Sequence, residues 1–496
     1  MTPSSRSVRR AMGALVVGIV VSSLDGTTVA TALPVIVSDL GGLDQLPLVV
    51  SIYMLSSTIT LPLYGRWSDS LGRKPLFMGA QLLFVVGALL SSSAATMGQL
   101  ILYRAVQGAG AGGLMVLAQA IVGDMVPAHE RSKYFGWIGA LFATGSVAGP
   151  VVGGLIADNL GWQWVFLMVV PVGILGLIGT WLFVPNLSKR MAVNPDVVGS
   201  FLLAASLATL VLIATWAGSS YEWTSPVILG LSAIFVVSTV ALILVERQQA
   251  DGVLPVGFFR EPGMAAAMIV VMVTGSTIFG FIVFTPVFVQ LGLGTSATVS
   301  GFVTLPLMIS FMTGSVLVGR AIARIGRYRL FPIVGTALIA LCFFFLATMG
   351  SDTSLVVVGM YLVVGGVGVS MVMQVVVLAV QTTVNETQIG VATSMAHLFR
   401  SVGGVLGIAT LGSLLSLRLS ANLDSPEIMA TGLDAQTIIE SPGLISGLSA
   451  GIEAVVRDAA ASSVTFVFAV SVPLTLIALA AAWRLPDRSL KETVDA

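Results

Sequence analysis

Long apolar segments dominate this chain of 496 residues and leave few folds open to it. A window of about 20 residues, the length of helix that crosses a hydrocarbon core of about 30 Å, matches fourteen segments. Only 9% of the residues are charged, against about 25% in soluble proteins, so the polar surface cannot cover a water-soluble fold. Backbone amides in lipid must be satisfied within a segment, and segments of this length favour helices over barrel strands. The sequence therefore predicts an all-α integral membrane protein.

The predicted spans are joined mostly by short connections. They are approximately 11–36, 46–65, 76–94, 99–124, 134–157, 163–184, 197–217, 225–245, 263–291, 297–319, 330–350, 354–381, 388–417 and 460–484. Outside them lie an N-terminal segment 1–10, a C-terminal segment 485–496 and one long acidic connection, about 418–459, rich in Ser and Gly.

The distribution of basic residues predicts the orientation. If both termini lie in the cytoplasm, nineteen of the 23 Lys and Arg residues fall in cytoplasmic segments, and only Arg418 and Arg457 fall outside. This bias follows the positive-inside rule, and the loss of one span would reverse the side of every later loop. We therefore expect a multi-pass protein of the cell membrane (plasma or inner) with both termini cytoplasmic. The first apolar run is too long for a cleaved signal peptide and is expected to be retained.

Two predicted cytoplasmic connections share one pattern. Residues 65–73 read GRWSDSLGR and residues 319–327 read GRAIARIGR, with four identical residues at identical spacing. The first copy has Asp69 where the second has Ala323. A carboxylate at this position can pair with Arg73 or lie at the N-terminus of a neighbouring helix. A contact made in only one conformation would bias the protein toward that conformation.

The position of the second copy indicates a duplication with an insertion. A duplicated unit of six helices would place the copy after helix 8, but it follows helix 10, so two helices, about 197–217 and 225–245, are inserted. We expect two pseudo-symmetric six-helix bundles, 11–184 and 263–484, joined by a linker, 185–262, that contains the inserted pair. Duplicated bundles with a substrate site at their interface are typical of secondary transporters.

These motifs resemble the major facilitator superfamily, specifically its fourteen-helix drug:proton antiporter branch. The segment from Gly65 to Lys74, with Asp69, Gly72 and Arg73, looks like the signature loop between helices 2 and 3. Residues 24–34 are similar to the helix 1 pattern of that branch, 104–108 resemble the helix 4 motif assigned to proton coupling, and 145–154 resemble the helix 5 antiporter motif. The resemblance covers nearly the whole chain and implies proton-coupled multidrug efflux, which confers antibiotic resistance. It does not identify the substrate.

Four ionisable side chains lie within predicted spans: Asp25, Arg104, His397 and Arg400. Each costs at least ~2.5 kcal/mol near a helix centre, so its presence indicates a function. Counted along their helices, Asp25, Arg104 and Arg400 are expected in one band slightly outside the midplane. We expect Asp25 to take a proton from outside and release it inside while Arg104 tunes its charge; the alternative is a fixed pair that holds helices together. His397 is either a second proton site or a neutral hydrogen-bonding residue.

Further polar residues extend the predicted substrate cavity. Its expected lining is Asp25, Tyr53, Gln107, Gln290, Gln374, His397 and Arg400. Hydrogen bonding between helices or an interfacial position explains Tyr53, Gln290 and Gln374 equally well. In some related exporters the corresponding face of helix 13 carries acidic residues, whereas this chain has His397 and Arg400. One acid against two arginines favours neutral, zwitterionic or anionic amphipathic substrates over dications.

Small residues recur in the predicted helix 5. Gly145, Gly149 and Gly153 are four residues apart and form a stripe that lets another helix approach closely. Pro150 removes a backbone donor and can kink the helix, and Gly154 completes the segment that resembles the antiporter motif. We expect a packed hinge that restricts leakage; close packing alone is the alternative.

Three functions fit the sequence. The first is a proton-coupled transporter that exports hydrophobic or amphipathic compounds by alternating access, the second a lipid or metabolite exporter on the same fold, and the third a membrane scaffold or receptor. The sequence shows no catalytic triad, phosphate loop or metal cluster, so no enzyme, cofactor or metal is expected. The 23 basic and 23 acidic residues balance, which argues against a nucleic-acid partner. The expected partners are protons, a small substrate and the bilayer, and the chain is expected to be monomeric.

Overall fold

The computed structural model describes residues 5–41, 46–186, 196–218, 221–248, 256–385, 388–423 and 448–487, together with Ile438 and Ile445. Nearly all of these residues are helical. The membrane helices are α1 Ser5–Leu40, α2 Leu46–Leu71, α3 Arg73–Ser92, α4 Met97–Met125, α5 Ala128–Leu160, α6 Gln163–Phe183, α7 Val197–Trp216, α8 Pro226–Gln248, α9 Pro262–Gly292, α10 Ala297–Ile325, α11 Leu330–Ala347, α12 Leu355–Thr383, α13 Ile389–Asn422 and α14 Ala450–Ala482.

Thirteen of these segments contain a helix long and apolar enough to cross a membrane, among the residues that the structure describes. The remaining helix, α5, has 33 residues and packs between α1 and α10, which brings the bundle to fourteen. The expected fold is confirmed: a helical membrane protein with two six-helix bundles, α1–α6 and α9–α14, and the inserted pair α7 and α8.

The two bundles meet along two seams. One seam lies between α2 and α13, and the other between α5 and α10. The inserted pair packs over the first seam through α7, where Leu203 and Leu207 of α7 and Leu242 of α8 form one buried apolar cluster with Leu398 of α13. Other faces of the pair are exposed and apolar, as at Phe201 and Val237, which suits a lipid-facing position.

The repeated segments lie within helices rather than in loops. Helix α2 continues through Leu71 and α10 through Ile325, so both copies occupy the last turns of a helix. Each helix then stops at a glycine with positive φ, Gly72 at 95° and Gly326 at 75°. Only glycine adopts this conformation without strain, which explains the glycine in each copy. We call the side of the bundle at Gly72 and Gly326 the basic side; the sequence predicts it to be cytoplasmic.

The long outer connection is shorter than the sequence predicts. Helix α13 extends to Asn422 and α14 begins at Ala450, so both ends of segment 418–459 are helical turns. Asn422 donates hydrogen bonds to the hydroxyls of Ser462 and Ser463, which ties the two extensions together. Helices longer than the hydrocarbon thickness project beyond it, and hydropathy alone does not detect such projections. Within the predicted termini and linker, residues 1–4, 187–195, 219–220, 249–255 and 488–496 lie outside the described residues.

Helix α9 is irregular in its outer half. Two π-helical segments, Gly280–Phe284 and Phe288–Gly292, flank the short α-helical stretch Thr285–Val287. Pro286 lies in that stretch and has no backbone N–H, which loosens the local hydrogen-bond ladder. The ring of Phe281 stacks on Phe343 of α11 with centroids 4.3 Å apart and holds the irregular segment against the bundle.

Candidate functional site

A closed triad of charged and polar side chains lies inside the N-terminal bundle. Arg104 of α4 donates from Nη1 to Asp25 Oδ2 of α1 at 2.7 Å and to Gln107 Oε1 at 2.8 Å. Gln107 Nε2 in turn donates to Asp25 Oδ1 at 2.9 Å. All three side chains are buried. Both oxygens of the Asp25 carboxylate are therefore satisfied, and its charge is balanced by a single arginine.

Aromatic rings cover the arginine of the triad. The guanidinium carbon of Arg104 lies 4.0 Å from the ring centroid of Tyr53 on α2 and 5.8 Å from that of Phe166 on α6. Gly108 permits this arrangement, because a Cβ there would collide with the backbone of Tyr53. Buried cation–π contacts are worth about 2 kcal/mol. Tyr53, predicted to line a cavity, thus stacks on the arginine of the triad.

The glycines of α5 face α1, as the predicted stripe requires. A Cβ at Gly145 would collide with the Ser23 hydroxyl, and one at Gly149 with the Thr27 hydroxyl. At Gly153 it would lie 2.6 Å from the carbonyl oxygen of Thr28, three residues after Asp25. Gly154 has open space. The stripe thus brings α5 against the part of α1 that carries the acid, while the side chain of Pro150 lies outside the described part of the chain.

Two adjacent glycines give a matched test of this packing. We expect Gly153→Ala to lower stability by about 1–3 kcal/mol, because the new methyl group meets backbone that cannot rotate away. Gly154→Ala gains the same helix propensity in open space and is expected to be neutral or slightly stabilising. Thermal unfolding of the purified variants measures the difference. Equal unfolding temperatures for the two variants would contradict close packing at Gly153.

A second polar network crosses between the bundles, nearer to the basic side. Gln119 of α4 donates from Nε2 to Gln374 Oε1 of α12 at 2.8 Å. The same residue presents Oε1 to His397 Nε2 of α13 at 2.7 Å, and His397 Nδ1 lies 2.6 Å from Arg400 Nη2. Gln119, Gln374 and His397 are all buried. This network joins the two halves of the molecule in the interior of their interface.

The arginine determines the direction of every hydrogen bond in this network. A guanidinium has no acceptor, so Arg400 donates and His397 Nδ1 accepts. The neutral ring then carries its proton on Nε2 and donates it to Gln119 Oε1. This leaves Gln119 Nε2 to donate to Gln374 Oε1. In this arrangement His397 is a neutral hydrogen-bonding residue, the second of the two roles expected for it.

The four intramembrane ionisable residues form two clusters instead of one band. Asp25 and Arg104 belong to the triad, whereas His397 and Arg400 join Gln119, which lies fifteen residues beyond Arg104. That spacing corresponds to about 22 Å along α4. Counting along separate helices did not reveal this separation, because α1 begins at Ser5 rather than at residue 11, which adds about 9 Å of helix between the basic side and Asp25.

The remaining predicted cavity residue lies elsewhere. Gln290 is in the second π-helical segment of α9, and its Nε2 donates to the hydroxyl of Ser300 in the first turn of α10, 3.0 Å away. This contact is at the outer end of the C-terminal bundle, apart from both polar clusters.

The signature segment closes the first seam at the basic side. Asp69 accepts hydrogen bonds from the backbone N–H groups of Gly390 and Val391, at 3.2 and 3.1 Å, in the first turn of α13. Its Oδ1 also lies 3.3 Å from Arg73 Nη2. A carboxylate at a helix N-terminus is stabilised by the free amides and the helix dipole. Both roles that the sequence left open for Asp69 therefore occur together.

The arginine that pairs with Asp69 is held on its other side by α4. Arg73 Nη1 lies 2.9 Å from Asp124 Oδ1 and also donates to the carbonyl oxygen of Ala120. Lys74, the last residue of the signature segment, donates instead to the Trp181 carbonyl oxygen of α6 at 2.8 Å. The acidic contact to α13 is thus anchored within the N-terminal bundle, so Asp69 links two rigid bodies.

The two seams are built alike, as the duplication predicts. A Cβ at Gly65 would collide with Ser394 and with the carbonyl of Gly390 on α13. A Cβ at Gly319, the equivalent residue of α10, would collide with the carbonyl of Ser132 on α5. Ser132 donates a hydrogen bond to the Gly319 carbonyl oxygen at 3.0 Å. Each repeat therefore uses its first glycine to bring the bundles into backbone contact at the basic side.

Removing the Asp69 carboxylate is expected to loosen this closure. Asp69→Ala loses two charge-assisted hydrogen bonds across the seam, and each is worth about 1.5–3 kcal/mol. The reporter is a cysteine at Ser315, which is buried on α10 beside α5, in a Cys342→Ser background. We expect its alkylation by a maleimide to accelerate about tenfold or more.

A matched control uses the same chemistry away from the seams. Asp196 caps the N-terminus of α7, where it accepts from the Gly199 N–H at 2.8 Å. Asp196→Ala should leave the alkylation rate of the Ser315→Cys reporter unchanged. An unchanged rate in Asp69→Ala as well would show that this carboxylate does not hold the seam closed.

The sequence interpretation did not select Gln119 and Asp124 as site residues. Gln119 is an amide within an apolar span, the same signal that identified Gln374, and it would have been found by treating every intramembrane glutamine alike. Asp124 was placed near the end of a span, where an acid is ordinary. Among the described residues, no group of three or more His, Cys, Asp or Glu side chains is arranged to hold a metal ion.

Known proteins have the same architecture, and some are similar to this chain in sequence. The structure of the proton:xylose symporter XylE bound to 6-bromo-6-deoxy-D-glucose superposes with a TM-score of 0.62 over 99% of this chain and 100% of that chain; at 14% identity the likeness shows the fold alone. The multidrug transporter protein MdtP of Bacillus subtilis (strain 168) is 34% identical over 409 residues, 82% of this chain and 75% of that protein. Multidrug resistance protein 3 of the same organism is 31% identical over 489 residues, 96% of this chain and 95% of that protein. The model of the Major Facilitator Superfamily matches residues 15–408. The resemblance of the sequence motifs is thus confirmed, and the chain belongs to the major facilitator superfamily of transporters.

Proposed function

We propose that this transporter exports hydrophobic or amphipathic compounds in exchange for protons, by alternating access between its two bundles. The observation that carries the proposal is the buried Asp25–Arg104–Gln107 triad, with its Arg104–Asp25 distance of 2.7 Å. Buried ion pairs contribute little net stability, so a pair retained in a membrane interior is better explained by a role in transport.

The triad suits proton exchange because Arg104 has a partner in both states of Asp25. The ionised carboxylate accepts from Arg104 and Gln107, which stabilises it in the closed arrangement. A proton on the acid removes its attraction to Arg104, which keeps the Tyr53 ring as a partner. Because Asp25 lies on the part of α1 that packs against the glycine stripe of α5, a change at the triad reaches a helix of the second seam.

The closed seams at the basic side support the alternating-access part of the proposal. Asp69, Ser132 and the glycines beside them hold the bundles together at that side. In the proposed orientation this side and both termini are cytoplasmic, so the described state is closed toward the cytoplasm of a cell-membrane protein. A monomer is sufficient, because both faces of the central interface come from one chain.

The proposed class of substrate rests on the named functions of similar proteins. Two similar proteins are named for multidrug transport or resistance, which favours amphipathic compounds over a single nutrient. Export of a lipid or metabolite on the same fold is the second function that the experiment below addresses.

Transport by purified protein in proteoliposomes tests the proposal. Vesicles with an acidic interior should accumulate an amphipathic dye while an external pH indicator reports proton release, and collapse of the pH gradient should stop both. A fluorescent phospholipid is offered in parallel vesicles. Dye uptake that does not depend on the gradient would contradict proton coupling, and movement of the phospholipid without the dye would favour lipid export.

A further inference from the structure

Among the residues that the structure describes, one basic side chain in the membrane interior, that of Arg400, has no acid in contact with it. Arg104 is balanced by Asp25, and Arg73 by Asp69 and Asp124. In the described part of the chain the only hydrogen bond of Arg400 is the one to His397 Nδ1. Histidine in this position is a neutral acceptor, so it leaves the positive charge uncompensated. A guanidinium offers five N–H donors, and one such bond leaves most of them free.

The position of this charge is the interface between the bundles. Arg400 is on α13, and the chain of hydrogen bonds that starts at it reaches α4 at Gln119 and then α12 at Gln374. Arg400 is partly exposed, in contrast to the buried His397 from which it extends. Its remaining N–H groups are therefore partly accessible at the interface between the bundles, where transporters of this architecture hold their substrates.

The far end of the hydrogen-bond chain is also a donor. Because every bond runs away from Arg400, the chain ends at Gln374 Nε2, a buried amide nitrogen without a partner among the described residues. Ser315 Oγ, on the facing side of Gly139, is buried and unpartnered as well. Both ends of the hydrogen-bond chain, the Arg400 guanidinium and Gln374 Nε2, are therefore N–H donors, which complement the acceptor oxygens of an anion.

We propose that Arg400 receives the anionic head group of an amphipathic substrate, so that this transporter prefers compounds with a carboxylate or similar anion. This assignment rests on the proposed export function. The planar guanidinium binds a carboxylate through two parallel N–H bonds. The triad does not compete for the substrate, because Arg104 already neutralises Asp25 and lies about 22 Å along α4 from Gln119, the residue of α4 that joins the second network.

His397 positions this arginine. Its Nδ1 accepts from Arg400 while its Nε2–H is held by Gln119, so the ring fixes the guanidinium beside α4 before any substrate binds. An anion with two acceptor oxygens uses the N–H groups that point away from the ring. The preference for anions is therefore present at equilibrium and needs no proton gradient.

Binding of matched probes to purified protein in phosphatidylcholine nanodiscs tests this inference without any pH gradient. The probes are dansyl-labelled dodecyl chains that differ only in the head group: carboxylate, primary amide or trimethylammonium. We expect the carboxylate to bind about tenfold more tightly than the amide, and the trimethylammonium most weakly. Equal binding of carboxylate and amide by the unmodified protein would overturn the proposal.

Variants assign the preference to one side chain. Arg400→Gln should abolish the preference for the carboxylate, and Arg400→Lys should keep part of it, because lysine retains the charge but not the paired donors. Arg418→Gln is the control, since this exposed arginine lies over the Phe466 ring at the outer end of α13. A preference that survives in Arg400→Gln would overturn the assignment, and the lysine variant supplies the test if the glutamine variant does not fold.

Two further binding measurements separate anion binding from proton coupling, and a free amphiphile from a phospholipid head group. Asp25→Asn should keep the anion preference, so loss of proton coupling and loss of anion binding are distinguishable. Phosphatidylglycerol added to the nanodiscs distinguishes two sources of the same chemistry. Displacement of the carboxylate probe assigns the site to an anionic phospholipid head group, and retention of the probe assigns it to a free amphiphile.

Discussion

Replacing Asp25 by asparagine is expected to reduce dye accumulation driven by a pH gradient to about the level without a gradient. Protons that bind the two conformations of the transporter equally cannot drive the change between them. Asparagine has the shape of aspartate and no ionisable proton. Its carbonyl oxygen still accepts a hydrogen bond from Arg104. Its NH2 group, however, faces the NH2 group of Gln107, so Gln107 must rotate its amide and present its oxygen instead. The variant should therefore fold and still exchange dye down a concentration gradient.

Asp39→Asn is the matched control for this variant. Asp39 lies on the same helix near its outer end and accepts a hydrogen bond from Trp162 Nε1 at 2.7 Å, with no arginine in contact among the described residues. Its amide retains an oxygen for that bond, so gradient-driven accumulation should match the parent protein. Full gradient-driven accumulation by Asp25→Asn would eliminate Asp25 as the proton site and leave the triad with a structural role.

Replacing Arg104 by methionine is expected to lower the free energy of unfolding by about 3–5 kcal/mol, because Asp25 then stays buried without its cation. Methionine retains most of the volume that packs under Tyr53 and Phe166 but donates no hydrogen bond. Gln107 would be the single remaining donor to the carboxylate. Thermal unfolding of the purified protein measures the loss.

Two comparisons isolate the electrostatic part of this effect. The double variant Asp25→Asn with Arg104→Met should regain much of the lost stability, since no buried charge remains. Arg418→Met removes another arginine that lies over an aromatic ring, 5.3 Å from the centroid of Phe466, but at an exposed position, so its cost should stay below about 1 kcal/mol. If Arg104→Met unfolds at the temperature of the parent, the pair contributes nothing to the folded state.

The height of a residue in the membrane follows largely from local sequence. Helices rise by a constant amount per residue, so counting along α1 and α4 predicted that Asp25 and Arg104 lie at similar heights, and the structure places them in contact. The same count did not separate Arg400 from this pair, because α1 begins at Ser5, six residues before the predicted span, and so carries Asp25 farther from the basic side. Depth is thus predictable to the extent that the membrane boundary on each helix is known.

The neighbours of a residue across the bundle do not follow from sequence in this way. Gln119 lies on the same helix as Arg104 and carries the same chemistry as Gln107, yet it joins His397 of the other bundle. Which face of α4 meets α12 and α13 depends on how the glycines at 108 and 112 rotate it against α2. That rotation depends on how several helices pack together. The hydrogen bonds from Gln119 to Gln374 and His397 therefore could not be predicted from the sequence of any single helix.

The sequence alone established that the chain lies in lipid, that it is helical, that it contains a duplication and which charged residues are buried. Lipid tolerates so few ionisable groups that each one is conspicuous, and the periodicity of a helix is local. The three-dimensional packing was needed to show that Asp69 lies at the N-terminus of α13 and that Arg400 has no acid beside it among the described residues. Both facts join segments from different helices, and such contacts arise only when the two bundles close on each other.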